Sequence, residues 1–393
     1  MKILTFSTLY PNKIFHQHGI FVENRLRHLL ANGNVQSKVI APIPWFPLKH
    51  ERFGDYAKYA QVPEFENRHG IDVIHPRYAL IPKVGMTMAP LLLAMATLRP
   101  LKKILADGYD FQIIDAHYFY PDGVAAYILG KLLGKPVIIT CRGSDISLIP
   151  IYFVLRHMIK WSAKGSAGLI TVCQALKDSL VSLGIEDQDV TVLRNGVDLQ
   201  KFKPVANRDE LRKSLSIKGT TLLSVGHLIH RKGHHLIIKA LEDLPNVSLL
   251  IAGDGVEESN LKELAKKLQF QDRVRFLGSI PHDQLVQYYA AVDMLILASS
   301  REGWANVLLE SMACGTPVVA TKVWGTPEVV TQAEAGVLVD ERSSSGIANG
   351  VKALLKNYPD RKQTRLFAEK FSWDATTLGQ EALFDKILRS TVK

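Results

Sequence analysis

The sequence predicts an α/β protein built from two doubly wound, Rossmann-like domains. Three observations point there. Apolar strand candidates alternate with helical stretches along almost the whole chain. The alternation breaks at RNGVDLQKFKP (194–204), rich in turn-forming residues, and restarts at TTLLSVG. A chain of 393 residues also exceeds what one ordinary core holds. The break divides the chain into a first domain over 1–196 and a second over 197–371.

In the first half, KILTFST, SKVIAPI, FQIIDAHY, KPVIITC, GLITVC and DVTVLR read as buried strands. Helical stretches over 20–32, 122–134 and 174–183 lie between them. In the second half the strands are TTLLSVG, VSLLIAG, VRFLGSI, MLILAS, PVVATK and GVLVD, again with helices between, and the end from about residue 363 reads as wholly helical. Residues 44–70 are Pro- and aromatic-rich with little periodicity. Residues 84–105 mix apolar residues with Arg99, Lys102 and Lys103, and the IPIYFVL stretch is followed by Arg156, His157 and Lys160. Each fits either a core helix with a solvated end or a surface helix lying on anionic membrane.

Hydrophobic residues make up 47% of the chain, which excludes a disordered protein. The net charge is +10, and residues 1–200 hold 22 Lys and Arg against 16 Asp and Glu. A basic balance suggests acidic partners, but no aromatic-interleaved basic ribbon is present, so no nucleic acid is expected. Cys141, Cys173 and Cys314 lie far apart in apolar settings, without metal-ligand spacing or a disulfide framework, which fits a cytoplasmic location. MKILTFSTLYP reads as a first strand and not a signal peptide, and no apolar run is long enough to span a bilayer.

The most informative stretch is SSREGWANVLLESMACG (299–315). Glu302 falls on a loop at the carboxyl end of the strand MLILAS. Asn306 reads as a helix cap, and Glu310 lies on the first turns of the helix that follows. Open α/β sheets bind ligands at that edge. A helix N-terminus there offers N–H groups to a phosphate, and a carboxylate one turn in can accept from ribose hydroxyls. The arrangement suits a nucleotide diphosphate carrying a sugar. In SVGHLIHRKGHH (224–235), Gly226 ends a strand, Arg231 and Lys232 follow, and Gly233 opens a helix. The two cations fit a diphosphate and would stabilise charge on a departing UDP; a solvated basic loop is the plain alternative. Gly19 begins a helix after the first strand, without the G-x-G-x-x-G of dinucleotide binding. His117 (DAHYFYPDG) and Arg142 with Asp145 (TCRGSDI) also follow strands and are candidates to face a cleft between the domains; a structural histidine is the rival reading for His117. No metal-binding cluster stands out, so no metal and no other cofactor is expected, the diphosphate being met by Arg231, Lys232 and helix N-termini.

These motifs resemble family 4 of the retaining glycosyltransferases, of the GT-B fold, over nearly the whole chain. Glu302 through Glu310 resemble its E-x7-E motif, Arg231–Lys232 its diphosphate pair, and RNGVDLQKF its interdomain segment. IAGDG (251–255) and RVRFLG (273–278) resemble the strands flanking the base. HYFYPDGVAA and RGSDI are most similar to members that build bacterial surface polysaccharides, of the teichuronic acid type. The resemblance implies that Glu310 binds ribose and Glu302 the donor sugar. It implies further donor contacts at Gly226, Gly253, Phe276, Leu277, Gly303, Asn306 and Val307, with Gly19 approaching the diphosphate from the first domain. His117, Arg231, Lys232 and Glu302 would act in catalysis, and the acceptor would lie near His117, Arg142 and Asp145. A helix over 372–393 would cross back onto the first domain. Many relatives carry histidine where this chain has Arg142, and arginine cannot act as a neutral base, which shifts catalytic weight to His117.

The resulting expectation is a cytoplasmic, metal-independent, retaining glycosyltransferase, with the inner face of the membrane as the place of a peripheral contact. It would move a sugar from a UDP-linked donor to a lipid-linked or polysaccharide acceptor. A UDP-sugar epimerase, a glycan phosphorylase or a non-catalytic glycan- or membrane-binding scaffold are the alternatives, since a fold alone does not separate them.

Overall fold

A computed structural model describes residues 1–48, 50, 52, 54–79 and 85–391 of the chain. It separates into two compact units, residues 1–194 with 374–393, and residues 195–373.

In the first unit the elements run β1 (Lys2–Phe6), α1 (Ile20–Ala31), β2 (Gln36–Ile40), β3 (Ile43–Pro44), α2 (Asp55–Tyr59), β4 (Phe65–Arg68), β5 (Ile71–Ile74), β6 (Arg77–Tyr78) and α3 (Gly85–Ala106). They continue with β7 (Ile113–His117), α4 (Val124–Leu133), β8 (Val137–Cys141), α5 (Ser144–Ser147), α6 (Phe153–Gly165), β9 (Gly168–Thr171), α7 (Gln174–Ser182) and β10 (Val190–Val192). Eight strands form one sheet in the order β10-β9-β8-β7-β1-β2-β5-β4, parallel except for the antiparallel β4–β5 edge, while β3 and β6 pair separately. The strands β1, β7, β8 and β9 are almost entirely buried, as an apolar run covered by helices on both faces requires.

The β4–β5 hairpin falls in and beyond the 44–70 stretch that showed little periodicity. Its two-residue turn, His69 and Gly70, has positive φ at both positions (51° and 81°), as a tight hairpin twist demands. The expected 84–105 helix is α3; Val84 lies outside the described residues, as do residues 392 and 393.

The second unit runs α8 (Arg208–Ser214), β11 (Thr220–Val225), α9 (His234–Ala240), β12 (Val247–Ala252), α10 (Glu258–Lys267), β13 (Val274–Gly278), α11 (Leu285–Ala291), β14 (Met294–Leu297) and α12 (Asn306–Ala313). It ends with β15 (Val318–Thr321), α13 (Thr326–Val329), β16 (Gly336–Val339), α14 (Ser344–Lys356) and α15 (Arg361–Glu369). All six strands are parallel, ordered β13-β12-β11-β14-β15-β16. The helical end is therefore two helices, α15 and then α16 (Asp374–Thr391), which belongs to the first unit. There Phe384 and Ile387 of α16 join Ile3, Val22 and Leu26 in one apolar core.

Strand order fixes where a ligand can sit. In each sheet the direction of winding reverses beside the first strand, between β1 and β7 and between β11 and β14. The crevice beyond the carboxyl ends of such a pair is where open α/β sheets take ligands. Among the described residues no helix is long and apolar enough to cross a membrane.

Candidate functional site

In the second unit, the loops after β11 and β14 meet at this reversal. Arg231 and Lys232 lie on a single 3₁₀ turn, His230–Lys232. Gly233 caps α9 at φ 76°, and a Cβ there would stand 2.1 Å from the Ala298 carbonyl oxygen. Only glycine lets the two loops lie this close. Ser300 N donates to the Arg231 carbonyl (2.9 Å), and Arg231 Nη1 donates to the Arg301 carbonyl (2.7 Å). Arg342, which the sequence reading missed, donates from Nε to the Ala298 carbonyl (2.8 Å).

Across this junction Lys232 Nζ donates to Glu302 Oε1 at 2.6 Å, and Ser299 Oγ donates to the same oxygen at 2.5 Å. Glu302 is only 9% exposed. Burial pushes its pKa up, but the Lys232 charge, the Lys232 and Ser299 hydrogen bonds and Arg231 outweigh it and hold the carboxyl below its ordinary value. Glu302 is therefore an ionised, oriented acceptor.

Glu310 lies on the second turn of α12, 8% exposed. His282 Nε2 meets its Oε1 at 2.8 Å and Tyr289 OH donates to its Oε2 at 2.9 Å. Burial again opposes ionisation, and His282, Tyr289 and Lys201 overcome it, keeping the pKa below the usual value. Neither His282 nor Tyr289 was predicted. His282 carried a weak signal, a histidine in the loop after β13; Tyr289 looked like any core aromatic.

One expectation is corrected. Asn306 is not the cap of α12 but its first residue; the cap position is Ala305, with no side-chain hydrogen bond. The Asn306 Oδ1 accepts instead from Asn195 Nδ2 (3.2 Å). The first N–H groups of α12 thus have no side-chain cap, the condition under which a helix end offers donors to an anion. Gly303 and Val307 flank it, half-buried. Gly226 ends β11, and Gly253 at the end of β12 lies against its carbonyl. Phe276 and Leu277 are half-buried on β13, at the sheet edge, with Lys262 Nζ 5.7 Å above the Phe276 ring.

In the first unit, Gly19 caps α1 at φ 68°, its Cβ position 2.2 Å from the Leu9 carbonyl oxygen. The loop between is held by Asp122, which accepts from Thr8 N (2.6 Å) and Thr8 Oγ1 (2.9 Å). Burial pushes the Asp122 carboxyl up to about 7.

The expectation that His117 faces a cleft is also corrected. Its ring is 1% exposed. Arg142 Nη2 donates to His117 Nδ1 at 2.6 Å, so the ring proton sits on Nε2, 3.3 Å from Asp115 Oδ2. Burial lowers the His117 pKa to about 4 and leaves the imidazole neutral. Gln380 of α16 donates to the same Asp115 oxygen (2.8 Å) and accepts from Arg25 Nε (2.9 Å). His117 thus sits inside a buried polar chain, beneath Arg142. Arg142 as a residue is half-buried, and its guanidinium lies 5.5 Å from the Phe21 ring centroid. Asp145 is fully buried and accepts from Phe119 N (2.7 Å), Gly143 N (2.7 Å) and Arg142 N (3.0 Å). It ties the loops after β7 and β8 together and presents no surface of its own to a ligand.

Two doubly wound sheets, one of them carrying paired cations and two ionised glutamates at its reversal point, define a GT-B glycosyltransferase. Residues 207–371 match the family described as Glycosyl transferases group 1, and residues 76–201 match Glycosyltransferase Family 4. The chain belongs to glycosyltransferase family 4 and is a transferase of glycan biosynthesis.

Among its relatives is the teichuronic acid biosynthesis glycosyltransferase TuaC of Bacillus subtilis, itself only provisionally assigned. It is 28% identical, over 89% of this chain and 88% of the relative. The N-acetyl-α-D-glucosaminyl L-malate synthase of Bacillus anthracis is 26% identical over 72% of this chain and 77% of its own. Among solved structures, sucrose-phosphate synthase from Thermosynechococcus elongatus superposes with a TM-score of 0.79 at 19% identity, covering 99% of this chain and 100% of its own. HepE of Anabaena in complex with UDP gives 0.75 at 20% identity, covering 98% and 100%.

Proposed function

We propose that the chain transfers a sugar from a UDP-linked donor to a lipid-linked or polysaccharide acceptor, with retention of anomeric configuration and without a metal ion. The observation that carries this reading is the Lys232–Glu302 pair beside the uncapped N-terminus of α12, with Glu310 one turn further in. Arg231, Lys232 and the α12 N–H groups bind the diphosphate, Glu302 the sugar hydroxyls and Glu310 the ribose. HepE, on the same fold, is known in complex with UDP-glucose.

In the step, the bond from the anomeric carbon to the β-phosphate oxygen breaks. The acceptor hydroxyl oxygen bonds to that carbon on the same face, and its proton passes to the departing phosphate oxygen. No protein nucleophile takes part. Lys232 and Arg231 act by stabilising charge that grows on the diphosphate. Arg142 is the cation that meets the acceptor, and His117 and Asp145 hold it in place.

The acceptor reading extends to the membrane. On the first unit α4 packs between α3 and α6. Met95 on α3 (66%), Ile151 on the turn before α6 (65%) and Phe153 at the start of α6 (67%) are exposed, as are Tyr152 and Trp161. Arg156, Lys160 and Lys164 lie on α6 among them. Apolar residues with cations alongside suit the interface of an anionic bilayer, at the inner face of the cell membrane.

The test is transfer from a panel of UDP-sugars to lipid-linked and soluble glycan acceptors, with and without a chelator. An axially linked donor giving an axially linked product, at a rate unchanged by the chelator, supports the proposal. An inverted product or a chelator-sensitive rate overturns it.

A further inference from the structure

We infer that Lys201 and His282 are positioning residues that lock Glu310 in the one orientation able to take a ribose diol; this rests on the nucleotide reading of the second unit. Lys201 Nζ lies 2.9 Å from His282 Nδ1. An ammonium has no lone pair to offer, so it must donate, and Nδ1 must be the unprotonated nitrogen. The ring proton is therefore on Nε2, which lies 2.8 Å from Glu310 Oε1 and donates to it. Tyr289 OH fills one acceptor position on the other oxygen, at 2.9 Å. Each carboxylate oxygen accepts twice. One acceptor position is left on each, matching the two hydroxyls of a vicinal diol.

The relay is built on fixed parts. Asp198 Oδ1 accepts from the Lys201 backbone N–H at 2.9 Å. Arg365 Nη1 bridges the Phe202 carbonyl (2.6 Å) and the Ala313 carbonyl at the end of α12 (2.8 Å). The Phe202 ring meets His282 edge-on, centroids 5.2 Å apart. The segment that reads in sequence as a linker thus supplies the first member of the chain that orients Glu310. Removing Lys201 leaves the His282 ring without its anchor at Nδ1, so the imidazole is free to turn and the carboxylate loses a fixed orienting donor.

The experiment is calorimetric binding of UDP, GDP and ADP, and of the 2′-deoxy form of whichever binds tightest, to wild type, Lys201→Met, His282→Leu, the double variant and His282→Gln. Wild type should prefer the ribonucleotide. Each single variant should weaken it about tenfold, the loss expected for one charge-assisted hydrogen bond. The double variant should be no worse than either single, since both cut one chain. The preference over the 2′-deoxy ligand should shrink toward one, and His282→Gln, which keeps an amide donor, should regain part of it. Wild-type affinity in the variants, additive losses, or equal weakening of both ligands overturns the relay. If wild type itself binds none of the three diphosphates, the nucleotide reading falls, and the relay with it.

Discussion

Lys232 and Glu302 form an ion pair that is nearly dry and that lies between the two loops the site needs. Such a pair is stable only while both members remain, because deleting one strands the other charge in a low-dielectric setting. Lys232→Ala should cost about 2–5 kcal/mol in binding of a nucleoside diphosphate, measured by calorimetry. It should also raise the Glu302 pKa, since burial then acts without its main counterweight. Unchanged affinity would mean that the ammonium serves the loop junction alone. His117 shows the opposite arrangement. Its two ring nitrogens are taken by Arg142 and Asp115, so it holds a cation in place and has no proton to exchange with a substrate.

At the scale of elements, the donor site depends on how closely the turn before α9 approaches the loop after β14. Gly233→Ala forces an alanine into left-handed backbone, costing about 1–2 kcal/mol, and drives its Cβ against the Ala298 carbonyl. Urea unfolding should show a loss of at least that size, and diphosphate affinity should fall with it because Ser299 and Glu302 follow directly. The exposed start of α6 and the turn before it make a separate prediction. Ile151→Ser with Phe153→Ser removes two exposed apolar side chains, each worth about 1.5–3 kcal/mol if buried in lipid. Flotation with anionic vesicles should drop at least tenfold, while transfer to a soluble acceptor is unaffected. Equal flotation would place membrane contact elsewhere or nowhere.

For the molecule as a whole, each unit contains a histidine that is neutral because it is buried. His117 in the first and His234 in the second are both lowered to about 4 by desolvation, against 6.5 unperturbed. Between those values the unfolded chain binds more protons than the folded one, so stability falls as pH falls. Their contribution is complete above pH 6.5 and is lost on the way down to about 4, up to about 3 kcal/mol for each. The raised Asp122 carboxyl acts in the opposite sense over the same range, so the histidine contribution is read as a difference. The urea midpoint of wild type should fall relative to that of His117→Gln through that window, and parallel profiles would contradict burial of the neutral ring.

What the sequence made legible follows the range over which each feature is encoded. The strand–loop–helix around Glu302 and Glu310, and the turn before Gly233, are local, and their residues sit where the spacing predicted. The two-residue turn at His69 and Gly70 was also local, but the charged residues of β4 hid its strand pattern. The partners of Glu310 were not legible: Lys201 and His282 lie 81 positions apart and meet only through the fold. The same holds for His117, whose surroundings are set by Arg142 from the loop after β8 and by Gln380 of α16, which reaches Asp115 beside it. Asn306 had the composition of a cap, yet the helix begins one residue sooner and uses its side chain to reach Asn195.

The central claim is that the second unit grips a nucleotide through its diphosphate and ribose, and a crystal soaked with UDP tests it most directly. Density for the diphosphate against Lys232 and the first turn of α12, with the ribose hydroxyls on Glu310, is the predicted result. A uridine bound elsewhere, or Glu310 left facing only His282 and Tyr289 and Lys232 only Glu302 at saturating ligand, would contradict it.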